Sequence, residues 1–172
     1  MSKAPRPDRV RRMRAWRRWM GVGLAGAAIA IASAAAAPAD DSPPPAVDLN
    51  VFPLAPGSYH TSTEGSYYGW VFFTTPDGRS CGIAPNGGGI GCDAVPTDAP
   101  AGTNQTFADA ADPAQYRYSD TLVFTRGAQV LPAGQRVQTV GGACAVDYQG
   151  AVHCQTQGNH GFILSTATGV LW

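Results

Sequence analysis

The chain has 172 residues, 44% hydrophobic and 14% charged, with twelve basic and twelve acidic side chains and a formal charge of zero. That zero hides a division: eight of the twelve cations lie in residues 1–39, while from Asp40 onward four arginines and no lysine face ten aspartates and one glutamate, a net of −7. An acidic body without lysine excludes Schiff-base and lysine-base catalysis. It also argues against nucleic acid or an anionic membrane face as a partner, because both need cationic patches.

The cations Lys3, Arg6, Arg9, Arg11, Arg12, Arg14, Arg17 and Arg18 precede an apolar run from Met20 to Ala37, then Ala37-Pro38-Ala39 and Asp40. Basic segment, apolar segment and small-x-small site, in that order, read as a signal peptide over 1–39. The protein is therefore expected outside the cell or at the cell envelope. Arg17-Arg18 before the apolar run also resembles a twin-arginine signal, which stands beside general secretion. The alternative for residues 20–37 is an uncleaved single-pass anchor, since about 18 apolar residues is the lower edge of a membrane span. A membrane partner is expected only in that case.

Residues 40–66 hold Pro43, Pro44, Pro45, Pro53 and Pro56 and no periodic apolar pattern. They read as a Pro-rich linker that buries too little surface to offset its ordering entropy. His60 lies in it, exposed to solvent.

Residues 67–172 read as one small β domain. Short apolar runs alternate with Gly, Pro, Asn and Asp turn signals, and helical periodicity is almost absent. Strands are predicted near 69–75, 79–84, 88–93, 121–126, 135–140, 143–148, 150–155, 160–166 and 169–172. The acidic, Pro-containing stretch 94–118 reads as loop, with a helical turn near Ala108–Ala111.

The four cysteines sit in two matching units. Gly78-Arg-Ser-Cys81-Gly-Ile83 is followed by Gly88-Gly-Ile90-Gly-Cys92, and Gly141-Gly-Ala-Cys144-Ala-Val146 by Gly150-Ala-Val152-His-Cys154. An even cysteine set in an exported chain reads as disulfides. Opposed residues of an antiparallel hairpin share one index sum. Cys81/Cys92 and Ile83/Ile90 share one such sum, and Cys144/Cys154 and Val146/Val152 share another. Each cysteine pair thus lies opposite itself on the face of its β-branched pair. The same registers leave Asn86-Gly87 as a two-residue type I′ turn and Tyr148-Gln149-Gly150 as a three-residue loop. Pairings Cys81–Cys92 and Cys144–Cys154 follow.

Thr75-Pro76-Asp77-Gly78-Arg79 adds a turn upstream. It sets Phe73 opposite Cys81 and Val71 opposite Ile83. Val71, Phe73, Cys81, Ile83, Ile90 and Cys92 should then face the core. The other face carries Trp70 and Phe72 beside Gly82 and Gly91. Aromatic side chains there either shield the strand backbone or form, with Tyr67 and Tyr68, a stacking platform for a ligand. Tyr68, Trp70 and Phe72 are the candidate ligand-binding residues, with the second face of a two-sheet core as the other reading.

Catalytic signals are sparse. No Gly-x-Ser-x-Gly, His-Glu-x-x-His or phosphate-binding glycine loop occurs. His160, with a nearby Asp or Ser such as Ser165, is the one candidate for an envelope hydrolase. Cys144, Cys154, His153 and His160 match zinc ligands by type but not by spacing. No metal and no cofactor are expected.

Phe73-x-x-Pro76-x-Gly78-x-x-Cys81-x-Ile83, Cys92, Leu131-Pro132-x-Gly134, Cys144, Gly150, Cys154 and His160-Gly161-Phe162-x-Leu164-Ser165 together resemble a group of small exported actinobacterial, mycobacterial-type, disulfide-containing proteins. The resemblance covers about Gly69 to Trp172, with Asn159 where Gly often precedes the His. It implies export and a disulfide domain, and it implies no catalytic residue.

The expectation is an all-β domain, a small antiparallel sandwich or partly open barrel with two hairpin disulfides. Its expected role is that of a secreted or envelope-associated, non-catalytic binding or structural module. An envelope glycan, lipid or protein is the expected partner.

Overall fold

The computed structural model describes residues 47–59 and 67–172. The expected signal peptide or anchor over 1–39, His60 and the remaining linker residues 40–46 and 61–66 lie outside the described residues.

Ten strands form two antiparallel sheets. The first contains β1 (Val71–Thr74), β2 (Ser80–Ile83), β3 (Ile90–Cys92), β4 (Gln105–Ala108) and β5 (Gln115–Arg117) in chain order. The second contains β6 (Gln135–Thr139), β7 (Gly142–Val146), β8 (Val152–Thr156), β9 (Gly161–Leu164) and β10 (Gly169–Leu171), again in chain order. The sheets pack as a sandwich and do not close into a barrel.

The two cysteine hairpins form as their registers require. Cys81 pairs with Cys92 and Ile83 with Ile90, Cys144 with Cys154 and Val146 with Val152. Both disulfides are made, across Cα–Cα distances of 4.0 Å and 4.1 Å. Asn86 and Gly87 have φ of 56° and 78°, the left-handed pair that a type I′ turn demands. Val71↔Ile83 and Phe73↔Cys81 pair as expected, and Val71, Phe73, Ile83 and Ile90 lie in the core with both disulfides.

The two sheets repeat one plan. Each is a five-strand meander with a disulfide joining its second and third strands. Phe73 opposes Cys81 as Val137 opposes Cys144. In the core, β1 packs over β6, β2 over β7, β3 over β8 and β4 over β9. Arg79 ties the halves together: its guanidinium donates to the Leu164 and Gly150 carbonyls of the second meander and pairs with Asp77 at 2.8 Å.

Three expectations are corrected. Residues 47–59, expected as linker, pack on the sandwich. A 3-10 turn (Leu49–Val51) buries Leu49, and Tyr59 is buried in the core. Between them the backbone pairs with sheet edges: Arg136 N–H donates to Pro53 O (3.0 Å), Ala55 N–H to Arg136 O (2.9 Å) and Phe72 N–H to Tyr59 O (3.1 Å). Apolar content misjudges this segment because its main chain, as well as its side chains, holds it in place. It also blunts the edges of β6 and β1. Next, β4 and β5 lie inside the stretch 94–118. The β4 pattern was hidden because Gln105 and Thr106 are fully buried polar residues, satisfied by hydrogen bonds rather than marked by apolarity; β5 is a three-residue edge strand with no buried residue and so carries no apolar signal. Last, 121–126 forms no strand. Its Phe124 and Thr125 N–H groups donate to the Asp93 carboxylate, both at 2.8 Å, instead of to a ladder.

Two stability outcomes follow. Replacing Cys81 and Cys92 together by Ala should cost about 2–3 kcal/mol in urea unfolding, from the loop entropy the bond removes. A Cβ at Gly91 would stand 2.5 Å from the Phe124 ring and 2.7 Å from the Thr106 carbonyl oxygen. Gly91→Ala should therefore cost about 1–3 kcal/mol and speed hydrogen exchange at the Phe124 and Thr125 amides.

Candidate functional site

The outer face of the first sheet holds the expected aromatic residues. Phe72 is 2% exposed and lies over Gly82, whose absent Cβ would meet the ring at 2.6 Å. Trp70, half-buried, stacks on Phe72 with centroids 5.3 Å apart and planes 7° from parallel. Tyr67 meets both edge-on, and the Arg126 guanidinium sits 4.2 Å over the Tyr67 ring. Phe124, from the loop after β5, closes the cluster over Gly91 and is 1% exposed. Tyr68 is 67% exposed and makes no ring contact among the described residues. Tyr68, Trp70 and Phe72 therefore do not present one common platform: Phe72 is buried beneath Trp70, and only Tyr68 is open. This face is packed by the chain's own loop, not by the second sheet.

A polar network pins that loop. The Asp93 carboxylate accepts from Gln105 Nε2, from the Phe124 and Thr125 amides and from Thr125 Oγ1. Gln105 Oε1 in turn accepts from Arg117 Nε at 2.6 Å, and the Arg117 guanidinium lies 3.6 Å over Phe107. Burial pulls the Arg117 pKa down, opposed by the charges of Asp109 and Asp93.

The outer face of the second sheet is different. Cross-strand register places Gln138, Ala143, Gln155 and Gly161 in one row, on β6, β7, β8 and β9. Over Gln138, Ala143 and Gln155 of this row lies an open groove of about 520 Å³. Gly142 and Ala143 contribute to its floor, Val47, Asp48, Leu49 and Asn50 at the start of the 3-10 turn form one wall, and Gln157 and Asn159 of the β8–β9 turn form the rim. No Lys or Arg lines it, and its one carboxylate, Asp48, caps its own turn through Asn50 N–H at 2.9 Å. The side-chain amides of Asn50, Gln155, Gln157 and Asn159 have no hydrogen-bond partner among the described residues. Gln138 Oε1 accepts from Arg136 Nη1. The groove therefore offers neutral groups that both donate and accept. A smaller cavity of about 220 Å³ lies between Leu54–Tyr59 and the β1 and β6 edges.

One step along the same face stands a histidine–carboxylate pair. His153 Nε2 donates to Asp147 Oδ2 at 2.8 Å, and Phe52 lies tilted beside the ring at 6.3 Å. Asp147 also accepts from the Gln149 and Ala151 amides and so shapes the β7–β8 turn. Burial alone would raise the Asp147 pKa. The His153 bond and charge and the two amides outweigh it and hold the carboxyl below its ordinary value. His153 Nδ1 is buried without a partner, and no nucleophile is bonded to this pair among the described residues. The pair is an anchor for the turn.

His160, the catalytic candidate, sits in the turn before β9. Its backbone carbonyl accepts from Thr156, while its side chain has no hydrogen-bond partner among the described residues. Ser165 Oγ donates to the Thr168 carbonyl. Cys144 and Cys154 are joined to each other, so neither offers zinc a thiolate.

The groove was missed because part of its wall comes from the stretch read as linker. Gln155 opposite Ala143 was implicit in the Cys144–Cys154 register. The addition of Gln138 and of Asp48–Asn50 was not.

No family model, no curated protein and no solved structure matches the chain.

The Asp147 geometry sets a pH dependence. Its folded pKa lies below the unfolded value, so its contribution is complete above the unfolded carboxyl pKa of about 3.9 and is lost as pH falls through the folded value. Asp147→Ala should lower stability by about 1–3 kcal/mol near neutral pH. The gap from the parent should narrow on acidification, as read from urea midpoints across the pH range.

Proposed function

We propose that this chain is an exported, non-catalytic binding module of the extracellular space or cell envelope, and that it binds through the outer face of its second sheet. The observation that carries this reading is the open groove of about 520 Å³ lined by the side-chain amides of Asn50, Gln155, Gln157 and Asn159, none of which is bonded to another described residue. Two buried disulfides fit an oxidising compartment. The leader pattern over 1–39 and the resemblance to small exported actinobacterial proteins agree with it. No helix among the described residues is long and apolar enough to cross a membrane. An anchor by residues 20–37 would hold the same domain at the surface instead of releasing it.

The hydrolase alternative through His160 lacks support in the geometry. A general base needs an orienting partner and a nucleophile within hydrogen-bond reach. The His160 side chain has neither among the described residues, and the one His–carboxylate pair, His153–Asp147, is covered and has no nucleophile bonded to it.

Co-sedimentation of the purified chain with washed envelope particles tests the reading. Gln138→Ala/Gln155→Ala should weaken binding roughly tenfold, the loss of one to two neutral hydrogen bonds, with the melting temperature unchanged. Trp70→Ala should instead lower stability and leave the affinity of the folded fraction intact. Binding untouched by the groove pair and abolished by Tyr68→Ala would move the site to the first sheet.

A further inference from the structure

We infer that the groove takes a neutral glycan chain running across the strands of the second sheet, and that the glycan extends past the groove's β8 side onto Trp172, which follows Gln155 and Gly161 in the same cross-strand row. This rests on the groove being the binding face. The two halves of the fold share one plan but differ in their outer rows. Aligning each disulfide on its counterpart superposes two outer rows, Thr74-Ser80-Asp93-Gln105-Arg117 on the first sheet and Gln138-Ala143-Gln155-Gly161-Trp172 on the second.

The first row is charged and already filled. Asp93, at its centre, accepts the chain's own Phe124 and Thr125 amides, and Gln105 and Arg117 complete the network. A peptide backbone is thus the ligand of the first sheet, and a carboxylate holds its N–H groups. At the matching place on the second sheet stands Gln155, an amide that both donates and accepts. Glycine replaces Gln105, and tryptophan replaces Arg117. Charge is gone from the row, and the groove above it is open.

That substitution changes the chemistry the row can hold. A carboxylate suits donors only. Amides suit groups that donate and accept at one atom, which is the property of a sugar hydroxyl. A groove with no Lys or Arg, whose one charged group is the Asp48 carboxylate, gives an acidic ligand no counter-charge, and in a domain of net −7 such a ligand would meet repulsion. The half-buried Trp172 hydrogen-bonds to Gly161 through both backbone groups (2.9 Å and 3.0 Å), and its indole lies 2.9 Å from where a Gly161 Cβ would be. A side chain at Gly161 would displace that ring. The row therefore carries the amides of Gln138 and Gln155 under the groove and an aromatic surface, Trp172, beyond it; its five strands span about 19 Å at about 4.8 Å per strand, which is room for several sugar rings.

The test uses the full chain with its disulfides intact. Neutral glucan, mannan and galactan hexasaccharides are titrated, with a polygalacturonate hexasaccharide as the charged control. Calorimetry and tryptophan fluorescence are the readouts. At least one neutral oligosaccharide should bind and shift the fluorescence, and the charged one should bind at least tenfold more weakly. Gln155→Ala should cost roughly tenfold in affinity. Trp172→Phe should weaken binding and remove the fluorescence change, with Trp70 still present as an unresponsive reference. Gln155→Asn, which retains an amide, guards against a folding defect. Binding of a neutral sugar with these variants unchanged overturns the assignment. So does the absence of any neutral binder while Gln138→Ala/Gln155→Ala still weakens envelope co-sedimentation, and the binding-module reading then survives with a different ligand. If that double variant also leaves co-sedimentation unchanged, both readings fall.

Discussion

Each half of the sandwich is organised by a cystine that joins directly opposed residues of an antiparallel hairpin. Because side chains alternate along a strand, the bond assigns every residue of its two strands to an inner or outer face at once. Ile83 and Ile90 must point inward with Cys81 and Cys92, and Val146 and Val152 with Cys144 and Cys154. Neighbouring strands inherit the same parity through their ladders. The core, the outer aromatic cluster and the groove are all consequences of where the two cystines point.

The outer faces show what parity leaves open. On the first sheet, Gly82 and Gly91 leave the backbone bare, and Phe72 and Phe124 cover it. On the second, Ala145 and His153 occupy the matching places, and the chain N-terminal to the first sheet supplies the cover, with Phe52 beside His153. Two segments outside the ten strands do equivalent work on the two halves. Both are held by charged groups that satisfy main-chain atoms: Asp93 accepts amides of the loop after β5, and Arg136 Nε donates to the Phe52 carbonyl. Such contacts are stronger than neutral ones and leave no apolar trace in the sequence.

This explains which parts of the molecule were legible. The hairpins were, because each rests on contacts less than a dozen residues apart and on turn chemistry: Asn86-Gly87 in the first, Gly150 in the second. The core face of β1, β2 and β3 followed from the same registers. The aromatic residues 67–72 were recognised as an outer-face group, yet their exposure was not legible, because Phe124 arrives from more than fifty residues away. Strand β4 was hidden by buried polar side chains, β5 by being a three-residue edge strand with nothing buried, and residues 47–59 by a composition that resembles a spacer. For the groove, the amides of β8 were readable as outward-facing, but not as one wall of a cavity.

By itself the sequence determined the all-β class, the two cystines, the registers of both hairpins and the facing of the strands they contain. These are local, since the period-two geometry of a strand and the φ demands of a two- or three-residue turn act over about ten residues. Only the tertiary structure decided which outer face is closed and which is open. That depends on where Asp93 finds the amides of a distant loop, where Leu49 and Tyr59 anchor a segment with little apolar pattern, and which amides are left with no one to bond. Long-range hydrogen bonds to the main chain carry no side-chain periodicity, so they appear only when the sheets have come together.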